Sequence, residues 1–72
     1  MNRINFNSIF RLNNDGSIEP RQLIRIGRIQ MGPGVRLHRG VLFGDLNLYD
    51  SVGRDFRTDQ EDGVLVLTGV YG

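Results

Sequence analysis

Residues 54–71 read RDFRTDQEDGVLVLTGVY, and they form two segments joined by a turn. The turn is Gln60-Glu61-Asp62-Gly63, which ends in residue types that tolerate the positive φ angles of a tight hairpin. The second segment, from Val64 to Tyr71, carries apolar side chains on both faces of an extended chain. The sequence therefore predicts a β-hairpin whose final strand is covered on both sides.

That final strand lies either in the middle of a two-layer core or at an edge that another molecule covers. Covering both faces from within is difficult for 72 residues, because so short a chain buries only about 60% of its unfolded surface. An exposed strand of this composition would aggregate. We therefore expect a symmetric homo-oligomer, a dimer or tetramer. The predicted interface residues are Leu65, Leu67, Val70 and Tyr71.

The N-terminal segment alternates between apolar and polar residues. Four apolar residues share one parity: Ile4, Phe6, Phe10 and Leu12. Only Ile9 interrupts the polar parity, so the pattern predicts a half-buried strand across this segment. Asn13-Asn14-Asp15-Gly16 follows, and these turn-forming residues predict a first hairpin.

The central segment is predicted to contain two further strands. Its apolar parity is even at Ile24 and Ile26 but odd at Ile29 and Met31, which indicates one inserted residue. We expect a β-bulge at Gly27-Arg28 to account for the shift.

After a Gly32-Pro33-Gly34 turn, odd-numbered apolar residues predict a strand over 35–43. Residues 45–52 allow a single helical turn, capped by Asp45 and ended by Gly53. The fold class predicted from these patterns is all-β. We expect one domain over residues 1–72, built as a small antiparallel barrel or sandwich of five to six short strands with at most one short helical turn.

The charges divide the chain into two halves of opposite sign. All nine basic residues are arginine, and residues 1–44 carry a net charge of +5 against −4 for residues 45–72. Arginine binds phosphates and carboxylates in a bidentate manner, so the first half suits an anionic ligand. Alternatively, the halves neutralise one another within or between subunits. We favour neutralisation, because the sequence pI of 8.4 lies below the values above about 9 that are typical of nucleic-acid-binding domains.

Several classes of function are excluded or disfavoured by composition. The chain has no cysteine, which excludes disulfides, thiolate metal sites and a cysteine nucleophile. No apolar run reaches the roughly 20 residues that span a membrane, and the N-terminus lacks the apolar stretch of a signal peptide. We therefore expect a protein of a bacterial-type cytoplasm, with no membrane association, no cofactor and no metal. We also expect no enzymatic activity, because the single histidine, His38, has no recognisable nucleophile near it in the sequence.

One set of residues could bind an anion or a nucleic acid. On the face opposite the apolar row, a curved sheet would bring together Arg25, Arg36, His38, Arg39 and Tyr49. Single-stranded nucleic acid also requires exposed aromatic rings, and half of the six aromatic residues are predicted to be buried. We therefore predict a non-enzymatic interaction module that binds copies of itself or another protein. A nucleic-acid-binding small β-barrel that uses the arginine patch is the alternative.

Three short motifs of the chain carry a resemblance to known proteins: Ile24-Arg25-Ile26-Gly27, Met31-Gly32-Pro33-Gly34-Val35 and Gly63-Val64-Leu65-Val66. With these motifs the chain resembles short uncharacterised bacterial proteins, including those encoded on mobile (integron-type) gene cassettes. The resemblance covers about half of the chain. It implies no activity and no binding residues.

Overall fold

The computed structural model describes residues 2–43 and 46–71, in which nine short strands and two four-residue helical turns follow one another. In chain order these are β1 (Asn2–Asn5), α1 (Phe6–Ile9), β2 (Phe10–Leu12), β3 (Ile18–Pro20), β4 (Ile24–Ile26), β5 (Ile29–Met31), β6 (Leu42–Phe43), β7 (Leu46–Asn47), the 3₁₀ turn (Leu48–Ser51), β8 (Asp55–Glu61) and β9 (Val64–Val70). The all-β prediction is confirmed. The strands are shorter and more numerous than expected, and there are two helical turns instead of one.

A five-stranded sheet in the order β1-β8-β9-β4-β5 forms the larger layer. Strands β4 and β9 run parallel and the other neighbours are antiparallel, so the sheet is mixed and not purely antiparallel. Strands β2 and β3 form one small antiparallel pair, and β6 and β7 form another. In the described chain the large sheet ends at β1 and β5 without closing, so the fold is sandwich-like and not a barrel.

The C-terminal hairpin is confirmed. Glu61 faces Val64 across a two-residue turn, in which Asp62 has φ +52° and Gly63 has φ +79°. Two positive φ angles are typical of a type I′ turn, which matches the twist of the strands. Because β9 lies between β8 and β4, the final strand is in the middle of the sheet and is not an edge.

The N-terminal segment differs from the continuous strand that we expected. The first helical turn, α1, separates β1 in the large sheet from β2 in a small one. Phe6, Ile9 and Phe10 lie at helical spacing and are all buried, whereas Leu12 is exposed. The Asn5 side chain caps the turn by accepting a hydrogen bond from the Asn7 amide at 3.0 Å. Ile9, which broke the alternation, therefore marks a helical turn that carries the chain from one layer to the other.

The predicted bulge at Gly27-Arg28 is wrong, because these two residues form the turn of the β4–β5 hairpin. Ile26 faces Ile29 and Ile24 faces Met31. Directly opposed residues lie on the same face of a sheet, so a two-residue turn produces the observed change of parity. Gly27 has φ +61°, the value that the first position of a type II′ turn requires.

The strand predicted over 35–43 is mostly a loop. Leu37 forms one isolated bridge with Ile18, and regular pairing begins only at β6. The helical turn predicted over 45–52 is present as the 3₁₀ turn Leu48–Ser51. Its cap is the Asn47 side chain, which accepts a hydrogen bond from the Tyr49 amide at 3.0 Å. Asp45, the expected cap, lies outside the described residues.

The core lies between the large sheet and the layer formed by α1, β2 and β3. Three fully buried phenylalanine rings form its centre, with Phe6 and Phe10 at 4.9 Å between centroids, and Phe56 at 6.3 Å from Phe6 and 6.1 Å from Phe10. The apolar residues around them come from both layers, from the loop before β6 and from the 3₁₀ turn: Ile9, Ile18, Ile24, Leu37, Leu48 and Leu65. Neither helical turn exceeds four residues, and no helix within the described ranges has the length and apolar character needed to cross a bilayer.

Candidate binding cleft and sheet edge

One end of the core-facing side of the large sheet is only partly covered by the second layer. An open cleft of about 400 Å³ lies there, between the sheet and the short β6–β7 hairpin. We call it the main cleft, and its lining residues are Ile26, Leu46, Phe56, Leu67, Thr68, Gly69 and Val70. Five of these seven are large apolar residues, so the main cleft is suited to apolar side chains.

A β-bulge explains how Leu67 and Val70 both come to line the main cleft. Arg57 faces Gly69 across β8 and β9, but the next residue of β8, Thr58, faces Leu67. Thr68 is therefore an extra residue on β9. A bulge of this kind shifts the parity of the residues that follow it, which turns Val70 towards the same face as Leu67.

A smaller cleft of about 270 Å³ adjoins the main cleft and shares Ile26 with it. The other residues that line this side cleft are Gly27, Arg28, Ile29 and Phe43. Ile29 is 49% exposed, although its neighbour on β4, Ile26, is buried. The apolar surface therefore continues from the main cleft to the edge strand β5.

The β5 edge presents unpaired backbone groups. Because the Gly27-Arg28 turn has two residues, the pair Ile26 and Ile29 exchanges both backbone hydrogen bonds. The next pair, Arg25 and Gln30, is therefore of the non-hydrogen-bonded kind. The N–H and C=O groups of Gln30 consequently point away from β4, towards the open edge.

The opposite edge, β1, is polar and charged. The Phe6 amide donates to the Arg54 carbonyl oxygen at 2.8 Å. This bond determines which residues of β1 direct their backbone groups to β8. Alternate residues of an antiparallel strand point their backbone groups to opposite sides, so those of Arg3 and Asn5 point outwards, away from β8. The Arg3 guanidinium donates to the Asp55 carboxylate at 2.7 Å and lies 4.1 Å from the centre of the Tyr71 ring. Charged side chains of this kind protect an edge from pairing with another strand.

The four predicted interface residues lie at different depths. Leu65 is 1% exposed and belongs to the core, so it presents no surface to a partner. Leu67 is 6% exposed and lines the main cleft together with half-buried Val70. Tyr71 is 37% exposed and lies with Val70 and Arg57 at a separate small pocket. The chain thus covers most of the core side of β9 by itself.

On the outer face of the large sheet β9 is apolar, with Val64 only 7% exposed, and charged residues of β4 and β8 flank it. The Arg25 guanidinium forms an ion pair with the Glu61 carboxylate at 3.2 Å, and half-buried Val66 lies opposite Arg25 on β9. Together with the pair of Arg3 and Asp55, this ion pair links a basic residue of the first half to an acid of the second. The two halves of the chain therefore neutralise each other in part, as the composition favoured.

The five residues predicted as an anion or nucleic-acid patch come from two parts of the fold, with Arg25 on the large sheet and the other four in the loop before β6 and the 3₁₀ turn. Arg25 on β4 pairs with Glu61 on β8, whereas Arg36 pairs with Asp15 of the β2–β3 turn at 3.1 Å. Arg39 lies 5.0 Å from the centre of the Tyr49 ring. His38 is exposed next to it in the loop.

Tyr49 is held in place by its hydroxyl group. The oxygen lies 2.7 Å from the Gly16 carbonyl oxygen and 2.8 Å from that of Leu37, so two acceptors share its proton. With the Arg39 guanidinium over its ring, Tyr49 joins the β2–β3 turn to the loop before β6. Its surroundings are those of a structural residue.

Hydrogen bonds lower the pKa of three carboxyl groups in the described chain. The Ser17 hydroxyl and amide lower the pKa of Asp15, with Arg36 adding to the effect. The backbone amide of Gly34, at 2.8 Å, and the side-chain amide of Asn13 lower the pKa of Glu19. The side-chain amide of Asn5 lowers the pKa of Asp55, and the Arg3 guanidinium lowers it further. Each carboxylate thus connects a loop or an edge strand to a neighbouring element.

The two clefts and the outward-pointing backbone groups of Gln30 were not predicted from the sequence. The change of parity between Ile26 and Ile29 was the available signal, because a hairpin explains it as well as a bulge does. No group of three or more histidine, aspartate or glutamate side chains suited to a metal occurs among residues 2–43 and 46–71.

Comparison with protein-family models, with curated proteins and with solved structures gives no match. The resemblance to proteins of mobile gene cassettes therefore stays a prediction. Any function must be argued from the clefts, the sheet edges and the charges of this chain.

Proposed function

We propose that the chain is a small non-enzymatic binding module that acts in the cytoplasm as a homo-oligomer. The observation that carries the proposal is the apolar main cleft, which the chain leaves open beside Ile29 and the uncharged edge strand β5. Apolar surface that is open to solvent at such a position is typical of an interaction site. A dimer or tetramer would cover it.

The size of the chain supports self-association. In a chain of 72 residues with no cysteine, a single core gives limited stability, and assembly is one of the few available ways to increase it. The three phenylalanine rings stabilise the end of the sheet that α1 covers. The main cleft lies beside this aromatic group, since Phe56 also lines it, and additional burial there would extend the same core.

Binding of nucleic acid is the competing proposal, and the contacts of the arginines weigh against it. Arg25 and Arg36 already have carboxylate partners, and Arg39 lies over Tyr49. A single-stranded ligand requires a continuous positive groove with free aromatic rings. The arginine contacts fit neutralisation within the chain better.

Measurements of molar mass at two salt concentrations test the proposal. Light scattering coupled to gel filtration, at about 0.1 M and about 1 M NaCl, separates apolar from ionic association, because salt screens charges. We expect the mass of a dimer or tetramer at both. A monomer at every protein concentration up to the solubility limit would contradict the proposal.

A second measurement tests the competing class. Electrophoretic mobility shifts with random single-stranded DNA and RNA at low salt should show at most weak binding. A tight complex that dissociates steeply with salt would favour the nucleic-acid alternative, because phosphate contacts release counterions.

A further inference from the structure

Resting on the proposed self-association, we infer that a second copy of this chain docks on edge strand β5, antiparallel to it. In this arrangement Gln30 of each copy pairs with Gln30 of the other across a two-fold axis. Two five-stranded sheets then join into one of ten strands. The side cleft, which is continuous with the main cleft through Ile26, lies along the paired strands.

The first argument comes from the hydrogen-bonding groups of β5. Ile29 and Met31 direct their backbone groups to β4, and Gln30 directs its own outwards. No described residue donates to or accepts from the Gln30 backbone. An edge strand with a free N–H and C=O accepts an added strand readily.

The second argument is the difference between the two edges. Arg3 and Asn5 occupy the outward positions of β1, and the Arg3 charge opposes pairing there. The β5 strand, Ile29-Gln30-Met31, carries no charge. It also exposes half of the Ile29 side chain, which pairing would cover.

The third argument fixes the register. Gln30 is the one residue of β5 whose N–H and C=O both point outwards, so two copies satisfy both groups when Gln30 pairs with itself. The pair then lies on the two-fold axis, as a self-complementary contact requires. The same register places Ile29 opposite Met31 of the second copy, on the face that bears the side cleft.

Charge complementarity favours the same occupant. Arg28 is exposed and forms no ion pair within the described residues, and this register places it opposite Gly32 of the second copy. Two residues beyond that glycine, the Gly34 amide donates a hydrogen bond to the Glu19 carboxylate at 2.8 Å. Arg28 of each copy therefore approaches Glu19 of the other.

Crosslinking through a single cysteine tests the register, because the chain has no other cysteine. A hydrogen-bonded antiparallel pair has Cα atoms about 5.5 Å apart, within the range that a disulfide spans. We expect Gln30→Cys to form a covalent dimer under mild oxidation. Ile29→Cys is the matched control, since its two copies would lie roughly 8 Å apart and should stay reduced.

A charge at the edge tests the surface independently of the register. Ile29→Lys should convert the assembly into monomers at concentrations where the unmodified chain is associated. Val52→Lys is the control, because Val52 is 44% exposed and adjoins Gly53, whose carbonyl oxygen accepts a hydrogen bond from Asn5 on the opposite edge strand, so its variant should keep the assembly. Circular dichroism verifies that both variants are folded.

The outcomes separate the two proposals. An associated chain in which Gln30→Cys does not crosslink, or in which Ile29→Lys has no effect, overturns the β5 dimer and leaves self-association standing. Crosslinking of Ile29→Cys in preference to Gln30→Cys overturns the register. A chain that is monomeric throughout overturns both proposals.

Discussion

Thr68 forms a closed pair of hydrogen bonds with Arg57 at the bulge between β8 and β9. The Thr68 hydroxyl donates to the Arg57 carbonyl oxygen at 3.1 Å, and the Arg57 Nε donates to the Thr68 hydroxyl oxygen at 3.1 Å. The same guanidinium also donates to the Thr68 carbonyl oxygen at 3.2 Å. These contacts hold the extra residue that turns Val70 into the main cleft.

Thr68→Val should therefore lower the free energy of unfolding by about 0.5–1.5 kcal/mol, the net contribution of an ordinary hydrogen bond. Valine keeps the branched shape that suits a strand but lacks the hydroxyl group. Urea denaturation measures the change, and Thr68→Ser is the control because it keeps the hydroxyl. Equal stability of the two variants would contradict a clamping role for this group.

The change of apolar parity in the sequence has two physical causes, and spacing alone does not distinguish them. Between Ile26 and Ile29 the cause is a two-residue hairpin turn, and between Leu67 and Val70 it is a bulge. The bulge was expected at the first site, where Gly27-Arg28 instead forms a turn. The C-terminal hairpin was predictable, since Asp62-Gly63 has the residue types of a type I′ turn.

The large aromatic core predicts a severe effect of Phe56→Ala. Phe56 is fully buried against both Phe6 and Phe10, and removing a buried phenylalanine ring costs about 3–5 kcal/mol. That is comparable with the whole stability that a single core of this size supplies. We expect the variant to be largely unfolded at room temperature by circular dichroism.

Half-buried Phe43, at the side cleft, provides the control for that measurement. Phe43→Ala should remain folded, because the residue packs against the margin of the core and not within the aromatic group. A cooperative melt of Phe56→Ala close to that of Phe43→Ala would show that the aromatic group is not the centre of the core.

Acid should destabilise the chain through Asp15, Glu19 and Asp55. Their pKa values are lower in the folded chain than the ordinary values of 3.8 for aspartate and 4.5 for glutamate. The stability that these groups contribute is therefore present above those values, and it is lost as the pH falls through the lowered folded-state pKa values. We expect the free energy of unfolding to decrease below about pH 4.5 at constant ionic strength.

Asp55→Asn tests the assignment of part of that acid effect. The amide cannot titrate, so the variant should be less stable than the original chain near neutral pH but should lose less stability below pH 3.8. Urea denaturation across the acid range measures both changes. An unchanged slope of stability against pH would exclude Asp55 as a contributor.

The candidate site was less predictable than the fold class because it depends on contacts between distant parts of the chain. The parallel pairing of β4 with β9 brings Ile26 beside Leu67, and neither a turn nor a local period encodes it. Leu67 and Val70 were predicted as oligomer-interface residues from their apolar character. Their position in a cleft follows from the bulge and from the β6–β7 hairpin. The strands of that hairpin are too short to be recognised in the sequence.

Tyr49→Phe should destabilise the fold without changing any affinity for nucleic acid. The variant loses the hydroxyl that two carbonyl groups share, those of Gly16 and Leu37, which costs about 0.5–1.5 kcal/mol. The ring and its contact with Arg39 remain. Thermal melting measures the first effect and mobility shifts with single-stranded DNA measure the second. An unchanged melt would contradict the structural role.

The turn that joins β4 to β5 can be tested with a pair of glycine substitutions. Gly27 has φ +61°, so Gly27→Ala places a side chain in the left-handed region and should cost about 1–2 kcal/mol. Gly32 has no such constraint, and an added methyl group there would lie 3.5 Å from the Leu23 Cδ1 atom, an ordinary contact. Gly32→Ala should therefore be nearly neutral. Urea denaturation compares the two, and equal effects would mean that the strain at Gly27 does not determine the geometry of the hairpin that presents β5.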